Sequence, residues 1–346
     1  MNLNEARRTF ASYYKPNPWI YWSDFLLSAG LSWAMLTVGT LWPAWSLVQV
    51  MATIIGTFAM LRAVLFIHEL SHLKRGALPF FESAYNLVFG IPFLAPSLIY
   101  VGSHGDHHRQ NLFGTLKDPE YEPMAGWSAA HLTFFVVSVV AAPMLLALRF
   151  GILSPLSWVI PPLRSLVVRR GSALVINAAY ERPFPKGADK VSFILQELLA
   201  ALWIWGLAYC FMFNIISMKW IWQWYVMAAC TLVINQVRTL AAHRYVNDGH
   251  KLTVEEQLID SINLDGGSWL TVLAAPVGLR FHALHHFLPN VPYHALPSLH
   301  KILLRELPQS SPYRQTSEPG IFAAVAKLGL HGSVETHSPI ERHEEQ

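Results

Sequence analysis

Eight of the chain's 16 histidines fall in three tight groups: His68 and His72 in HELSH, His104, His107 and His108 in HGDHH, and His282, His285 and His286 in HALHH. Residues three or four apart share one face of a helix, so each group can aim its imidazoles at a single point. That is the geometry of metal ligation. His243, in NQVRTLAAHRY (Asn235 to Tyr245), is a ninth candidate. Zinc commonly takes four ligands and first-row metals seldom more than six, so nine imidazoles imply two ions. Imidazole suits Fe, Cu, Ni and Zn alike, and residue type does not choose among them. His131 lies in an uncharged stretch and His250, His331, His337 and His343 are isolated, so these read as ordinary histidines; His294 and His300 stand between the two classes.

The elements that must position these groups are membrane helices. Hydrophobic residues make up 53% of the 346-residue chain and charged residues only 14%, against about 25% in a water-soluble domain. Four stretches lack Asp, Glu, Lys and Arg altogether: 25–61, 123–148, 198–218 and 220–237. A crossing needs about 20 apolar residues, so the first is long enough for two helices, broken at Trp42, Pro43, Ala44 and Trp45, and each of the others for one. The turns at 42–45 and 214–218 carry no charge, whereas Lys74, Arg75, Arg109, Arg164, Arg169, Arg170 and Lys186 lie in the other connections. The positive-inside rule puts those connections, and with them all the histidine groups, on the cytoplasmic side. Residues 87–101, interrupted by Pro92 and Pro96, are expected as a re-entrant or interfacial segment. Residues 123–163 must begin and end on one side, as two crossings or as an in-plane pair broken at Pro143 and Pro155.

The expected organisation is a cytosolic N-terminal segment (1–24), a membrane domain (25–307) and a polar tail (308–346) whose last residues, 335–346, are disordered. Cys210 and Cys230 sit in apolar stretches and read as packing residues rather than a disulfide or thiolate site. The formal charge of +3 is modest and its basic residues are dispersed, which excludes nucleic acid as the partner. The N-terminus has no short apolar run before a small-residue cleavage site, so no leader peptide is expected.

HxxxH, HxxHH and HxxHH in that order, with two expected crossings between the second and third, resemble the membrane fatty acid desaturase superfamily from about Phe25 to Leu307. DPEY (Asp118 to Tyr121), NQVRTLAAHRY and FHALHHFLPNVPYHALPSLH (Phe281 to His300) resemble bacterial acyl-lipid desaturases more closely. The resemblance implies an all-α integral membrane protein of about four to six transmembrane or re-entrant helices, with a cytosolic helical cap holding two irons. It makes His68, His72, His104, His107, His108, His243, His282, His285 and His286 the ligands. Stearoyl-CoA desaturases carry an Asn four residues before the lone histidine; here that position is Thr239, with Asn235 a turn further upstream. Front-end desaturases resemble this pattern with Gln at the position of His282 and a fused HPGG haem module, which this chain lacks, so a separate electron donor of ferredoxin or cytochrome b5 type is expected.

No side chain can take hydrogen from an unactivated methylene, so that step must belong to the metals, with O2 as co-substrate, while the protein positions a long acyl chain drawn from the bilayer. Ligating imidazoles usually donate their second N–H to a carboxylate, and Glu69, Asp106, Asp118, Glu120 and Asp260 lie near the groups in sequence, as do Thr239 and Asn235. Desaturation is the expected reaction, with hydroxylation or ketolation the alternatives on the same scaffold. Two other classes compete. HELSH also satisfies the HExxH pattern of zinc proteases, and LDGG (Leu264 to Gly267) resembles the third-ligand motif of an intramembrane protease, but that reading leaves seven histidines without a role. A metal carrier would instead spread its ligands along the crossing helices.

Overall fold

The computed structural model describes Phe10, Tyr13 and residues 15–334. The chain folds as a bundle of long apolar helices with a cap of short helices at one end. Helix α1 spans Pro18–Leu41, opened by the Asn17 side chain, which accepts from the Trp19 N–H. It stops where the sequence predicts: Trp42 bonds back to Val38, Pro43 cannot continue the ladder, and Trp45 takes a left-handed φ of 64°. Ser46 then caps α2, Leu47–Val64, through the Gln49 N–H. After a single break at Leu65 the same rod continues as α3, Phe66–His72, which carries the first histidine group.

Short elements follow: α4 (Phe81–Tyr85), an irregular turn region over residues 86–99, and α5 (Ser103–His107). No long helix forms at 87–101, as expected for an interfacial segment. Residues 129–159 form one irregular helical run composed of α6 (Ala129–Ser138), α7 (Ala142–Leu148) and α8 (Ser154–Val159). Its two faults fall at 139–141 and 149–153, immediately before the turns that hold Pro143 and Pro155. One run of 31 residues is too short for two crossings, which removes that alternative. The chain flanking it returns to the cap region: Ala125, before the run, bonds Tyr245, and beyond α9 (Pro161–Arg169) the Arg182 guanidinium donates to the carbonyls of Leu98 and Val101.

Helices α10 (Gly187–Met212) and α11 (Met218–Leu240) form the second hairpin, turned at Asn214 with a φ of 58°. Among the described residues four segments suffice, by length and composition, to cross a membrane: Pro18–Leu41, Leu47–His72, Ala129–Val159 and Gly187–Met212. Helix α11, of 23 residues, packs against both α1 and α2. Gln223 joins it to α2 by bonds to Gln49 (2.8 Å) and Thr53 (2.9 Å), and Gly39 on α1 makes room, since a Cβ there would lie 2.5 Å from Gln223 Nε2.

The spans are longer than the charge-free stretches because charges inside them are paired across helices. Asp24 on α1 meets Arg62 on α2 at 2.5 Å, and the fully buried Glu197 on α10 meets Arg164 at 2.6 Å and Arg149 at 3.0 Å. Helix α1 therefore begins at Pro18, seven residues before the charge-free stretch that opens at Phe25.

The cap is closed by α12 (Val254–Asp260, opened by a Thr253–Glu256 capping box), β1 (Asn263–Leu264), α13 (Trp269–Ala274), α14 (His282–Phe287), α15 (Leu296–Glu306), β2 (Ser317–Glu318) and α16 (Ile321–Val334). Strand β2 pairs in parallel with β1, Asn263 opposite Ser317, while Ile321, Ala324 and Leu328 bury their side chains in the cap. The stretch read as a polar tail from residue 308 is thus folded through this helix. The expectation of disorder, over 335–346, lies outside the described residues, as does half of segment 1–24.

Candidate metal centre

Each histidine group reaches the centre by a different local device. His68 and His72 extend a crossing helix by two turns, and Glu69 between them is held by the Tyr21 hydroxyl and by the Tyr293 N–H at 3.2 Å. Gly102, at a φ of 100°, lets the chain turn into the short helix that presents His104 and His107. His282, His285 and His286 lie on α14, whose first turn is fixed to β1 by the Leu284 N–H on Asn263 Oδ1 (3.0 Å) and the Ala283 N–H on the Ile262 carbonyl (3.1 Å). His243 follows α11 and bridges to Ser261 beside α12.

Nine imidazoles converge, and they sort into two sets: His68, His72, His104, His108 and His285 in one, His107, His243, His282 and His286 in the other. Within each set the nearest ring nitrogens all lie within 4.8 Å of one another. In each HxxHH group the i, i+4 pair faces one set (His104 with His108, His282 with His286) and the odd residue, His107 or His285, crosses to the other.

The spacing suits ions. Two nitrogens each about 2.1 Å from one ion and at right angles lie roughly 3.0 Å apart. The Nε2 atoms of His104 and His108 are 3.0 Å apart, those of His72 and His285 3.1 Å, His108 and His285 3.1 Å, His243 and His282 2.9 Å, and His282 and His286 3.1 Å. Both ring nitrogens of His68 are buried without a hydrogen-bond partner among the described residues, a costly state that a metal bond would relieve. Burial lowers the pKa of His104, His108, His282, His285 and His286 well below the ordinary imidazole range, which keeps their lone pairs free at neutral pH.

Carboxylates orient the rings from behind. His107 Nδ1 lies 2.9 and 3.0 Å from the two oxygens of the fully buried Asp118, whose field and hydrogen bond outweigh burial and raise the His107 pKa. Glu120 accepts from His104 Nδ1 at 2.7 Å and from Tyr100 at 3.1 Å, and burial, partly countered by His107, pushes its carboxyl up to about 7. Asp260 Oδ2 is 3.3 Å from His243 Nδ1, with its other oxygen taken by the Tyr121 hydroxyl at 2.9 Å. A donor proton on Nδ1 leaves the Nε2 lone pair facing the centre.

Three of the seven expected supporting residues stand elsewhere. Asp106 accepts from Tyr180 (2.7 Å) and pairs with Arg109 (3.0 Å), facing away from the rings because it sits between His104 and His107 on a single helical turn. Asn235 and Thr239 bond Arg238 at 3.1 and 3.0 Å. Glu69 lies beside the centre, 3.8 Å from His68 Nδ1, too far for a hydrogen bond. Tyr100, Tyr121 and Ser261 support the rings without having been marked by spacing; Ser261 Oγ is 3.2 Å from His243 Nδ1. Tyrosine and serine occur too widely to stand out in one sequence.

The protease constellation is not assembled. Asp265 of LDGG approaches His300 at 3.7 Å and belongs to neither set, while His68 and His72 share theirs with three other histidines. Nor do the ligands spread along the spans as in a carrier.

The model of the fatty acid desaturase family matches residues 43–317. The chain belongs to the fatty acid desaturase family. Over 313 residues, 90% of this chain and 89% of the relative, it is 36% identical to a ceramide hydroxylase of Caulobacter vibrioides (strain NA1000 / CB15N). No solved structure matches it. This desaturase-family chain is accordingly an integral-membrane oxidoreductase of lipid metabolism, with two histidine clusters able to hold metal.

Proposed function

We propose that this chain hydroxylates the alkyl portion of a ceramide-like membrane lipid, using O2 and two irons held by the nine imidazoles. The likeness to the Caulobacter ceramide hydroxylase, spread over nine tenths of both chains, carries this reading. His68, His72, His104, His108 and His285 would hold one iron, and His107, His243, His282 and His286 the other. An all-imidazole shell suits Fe(II), and the pair would supply the reduction of dioxygen and the oxidising power that a methylene demands.

The protein's own part is positional. Asp118 and Glu120 fix the tautomers of His107 and His104, and Asp260 places its charge 3.3 Å behind His243. The cap also keeps bulk water from most of the rings, since six of the nine histidines are buried. In the overall balance one oxygen atom enters a C–H bond and the other leaves as water, with two electrons and two protons drawn from outside. Their source would be a separate donor of ferredoxin or cytochrome b5 type. The basic connections favour a cytoplasmic cap.

Desaturation is the second reading, favoured by the family and by PNVPYHALPSLH. It uses the same electrons but removes two hydrogens and yields two waters. Mass spectrometry of lipids from cells expressing wild type beside His285→Ala separates the cases. A species heavier by one oxygen, absent in the variant, supports hydroxylation; one lighter by two hydrogens moves the reaction to desaturation; zinc without iron and unchanged lipids overturns both.

A further inference from the structure

One cavity of about 340 Å³ opens in the cap directly against both histidine sets, with His108 of one and His286 of the other in its wall. Among the described residues the rest of that wall is uncharged. Gln110, Gln257 and Asn290 bring carboxamides, the remainder, Phe113 included, is apolar, and no Lys, Arg, Asp or Glu is among the described lining residues. Gln257 is fixed, because its Nε2 donates to the carbonyls of Gln110 (2.8 Å) and Leu252 (3.2 Å), which leaves Oε1 as an oriented acceptor.

These features select among lipids. A carboxylate or a phosphorylated carrier placed here would find no Lys or Arg among the described lining residues, and only the metal centre itself would offer it positive charge. Amide and hydroxyl groups would find donors and acceptors on three carboxamides. A volume at the small end of ligand sites suits a head group with the first carbons of its chains, not an entire long-chain lipid. Because the same cavity is walled by imidazoles of both sets, whatever head group fills it lies beside the metal centre.

We infer that this cavity is the head-group subsite for an uncharged lipid bearing amide and hydroxyl groups, recognised by Gln110, Gln257 and Asn290, and that oxidation falls within a few carbons of that head group. The inference rests on the proposed lipid oxidation and adds to it the recognition residues and the position of attack.

Two experiments on the purified, iron-loaded protein test it. In the first, native mass spectrometry measures retention of a palmitoyl ceramide against palmitic acid. Ceramide is expected to be retained in preference, and Gln110→Leu with Asn290→Leu to weaken it by about threefold to tenfold for each hydrogen bond lost, with metal content unchanged. Equal or stronger retention of palmitic acid, or undiminished ceramide binding in the double variant, overturns the subsite. In the second, tandem mass spectrometry maps the new oxygen or double bond in the wild-type product. A position within about four carbons of the amide or its neighbouring hydroxyl supports the inference, and attack at mid-chain or at the methyl end refutes it while leaving the proposed oxidation intact. Absence of any oxidised lipid would count against the proposed function, and the binding measurement alone would then decide the subsite.

Discussion

Asp118→Asn gives the sharpest test of how the centre is held. Both carboxylate oxygens of Asp118 lie within 3.0 Å of His107 Nδ1, and they also accept the N–H groups of Gly114 at 2.8 Å and Glu120 at 2.9 Å. The side chains of His107 and Asp118 are 1% and 0% exposed, so solvent screens this pair little. A hydrogen bond to a charged group is worth about 1.5–3 kcal/mol, which converts to roughly tenfold to 150-fold in a binding constant. Replacing a supporting carboxylate commonly costs about tenfold to 100-fold in metal affinity, the same range. Asparagine can also turn its NH2 toward Nδ1, moving the imidazole proton to Nε2 and withdrawing the lone pair from the centre. The loss should fall on the set containing His107, His243, His282 and His286 and spare the other five. Titration of the metal-free protein with Fe(II) against a competing chelator reads this directly: one ion per chain binds as in wild type and the other about ten to a hundred times more weakly. Wild-type affinity for both ions, or a loss confined to the five-histidine set, would refute the tautomer argument.

Three further outcomes follow from the same geometry. His243→Ala removes one of four imidazoles from the second set, so iron per chain measured by elemental analysis should fall from about two to about one, whereas His250→Ala, outside both sets, should leave it unchanged. Glu69→Gln keeps an acceptor for Tyr21 and Tyr293, so lipid oxidation should fall by no more than about tenfold; complete loss, with peptide hydrolysis lost alongside it, would revive the protease reading. Glu197→Gln leaves the buried Arg149 facing a neutral group and should destabilise the fold by about 3–5 kcal/mol, seen as a lowered unfolding midpoint in detergent; an unchanged midpoint would mean the cluster is open to water.

The sequence by itself determined the chemistry and the parts list. Histidine is rare and costly to cluster without purpose, so HELSH, HGDHH and HALHH disclosed the residues that the fold gathers into clusters able to hold metal, and Pro43 and the charge-free stretches disclosed the hairpins. The partition of the two sets was not legible there: residues three and four apart share a helix face, and that His107 serves a different set from His104 and His108 appears only in the fold. What only the tertiary structure decided was which chemically equivalent residue met which partner. Asp106, inside a histidine group, serves Tyr180 and Arg109, while Asp260, 17 residues beyond His243, comes back to support it. Glu197 enters a membrane span because Arg149 and Arg164 neutralise it from distant segments. The chain past residue 307 looks polar but folds, because β2 pairs with β1 and three apolar residues of α16 find burial that their local sequence does not reveal. Ligand type and helical phase are local properties that a sequence carries on its face; pairing of charges and strands depends on contacts between residues far apart in the chain, which exist only once the backbone has closed around them.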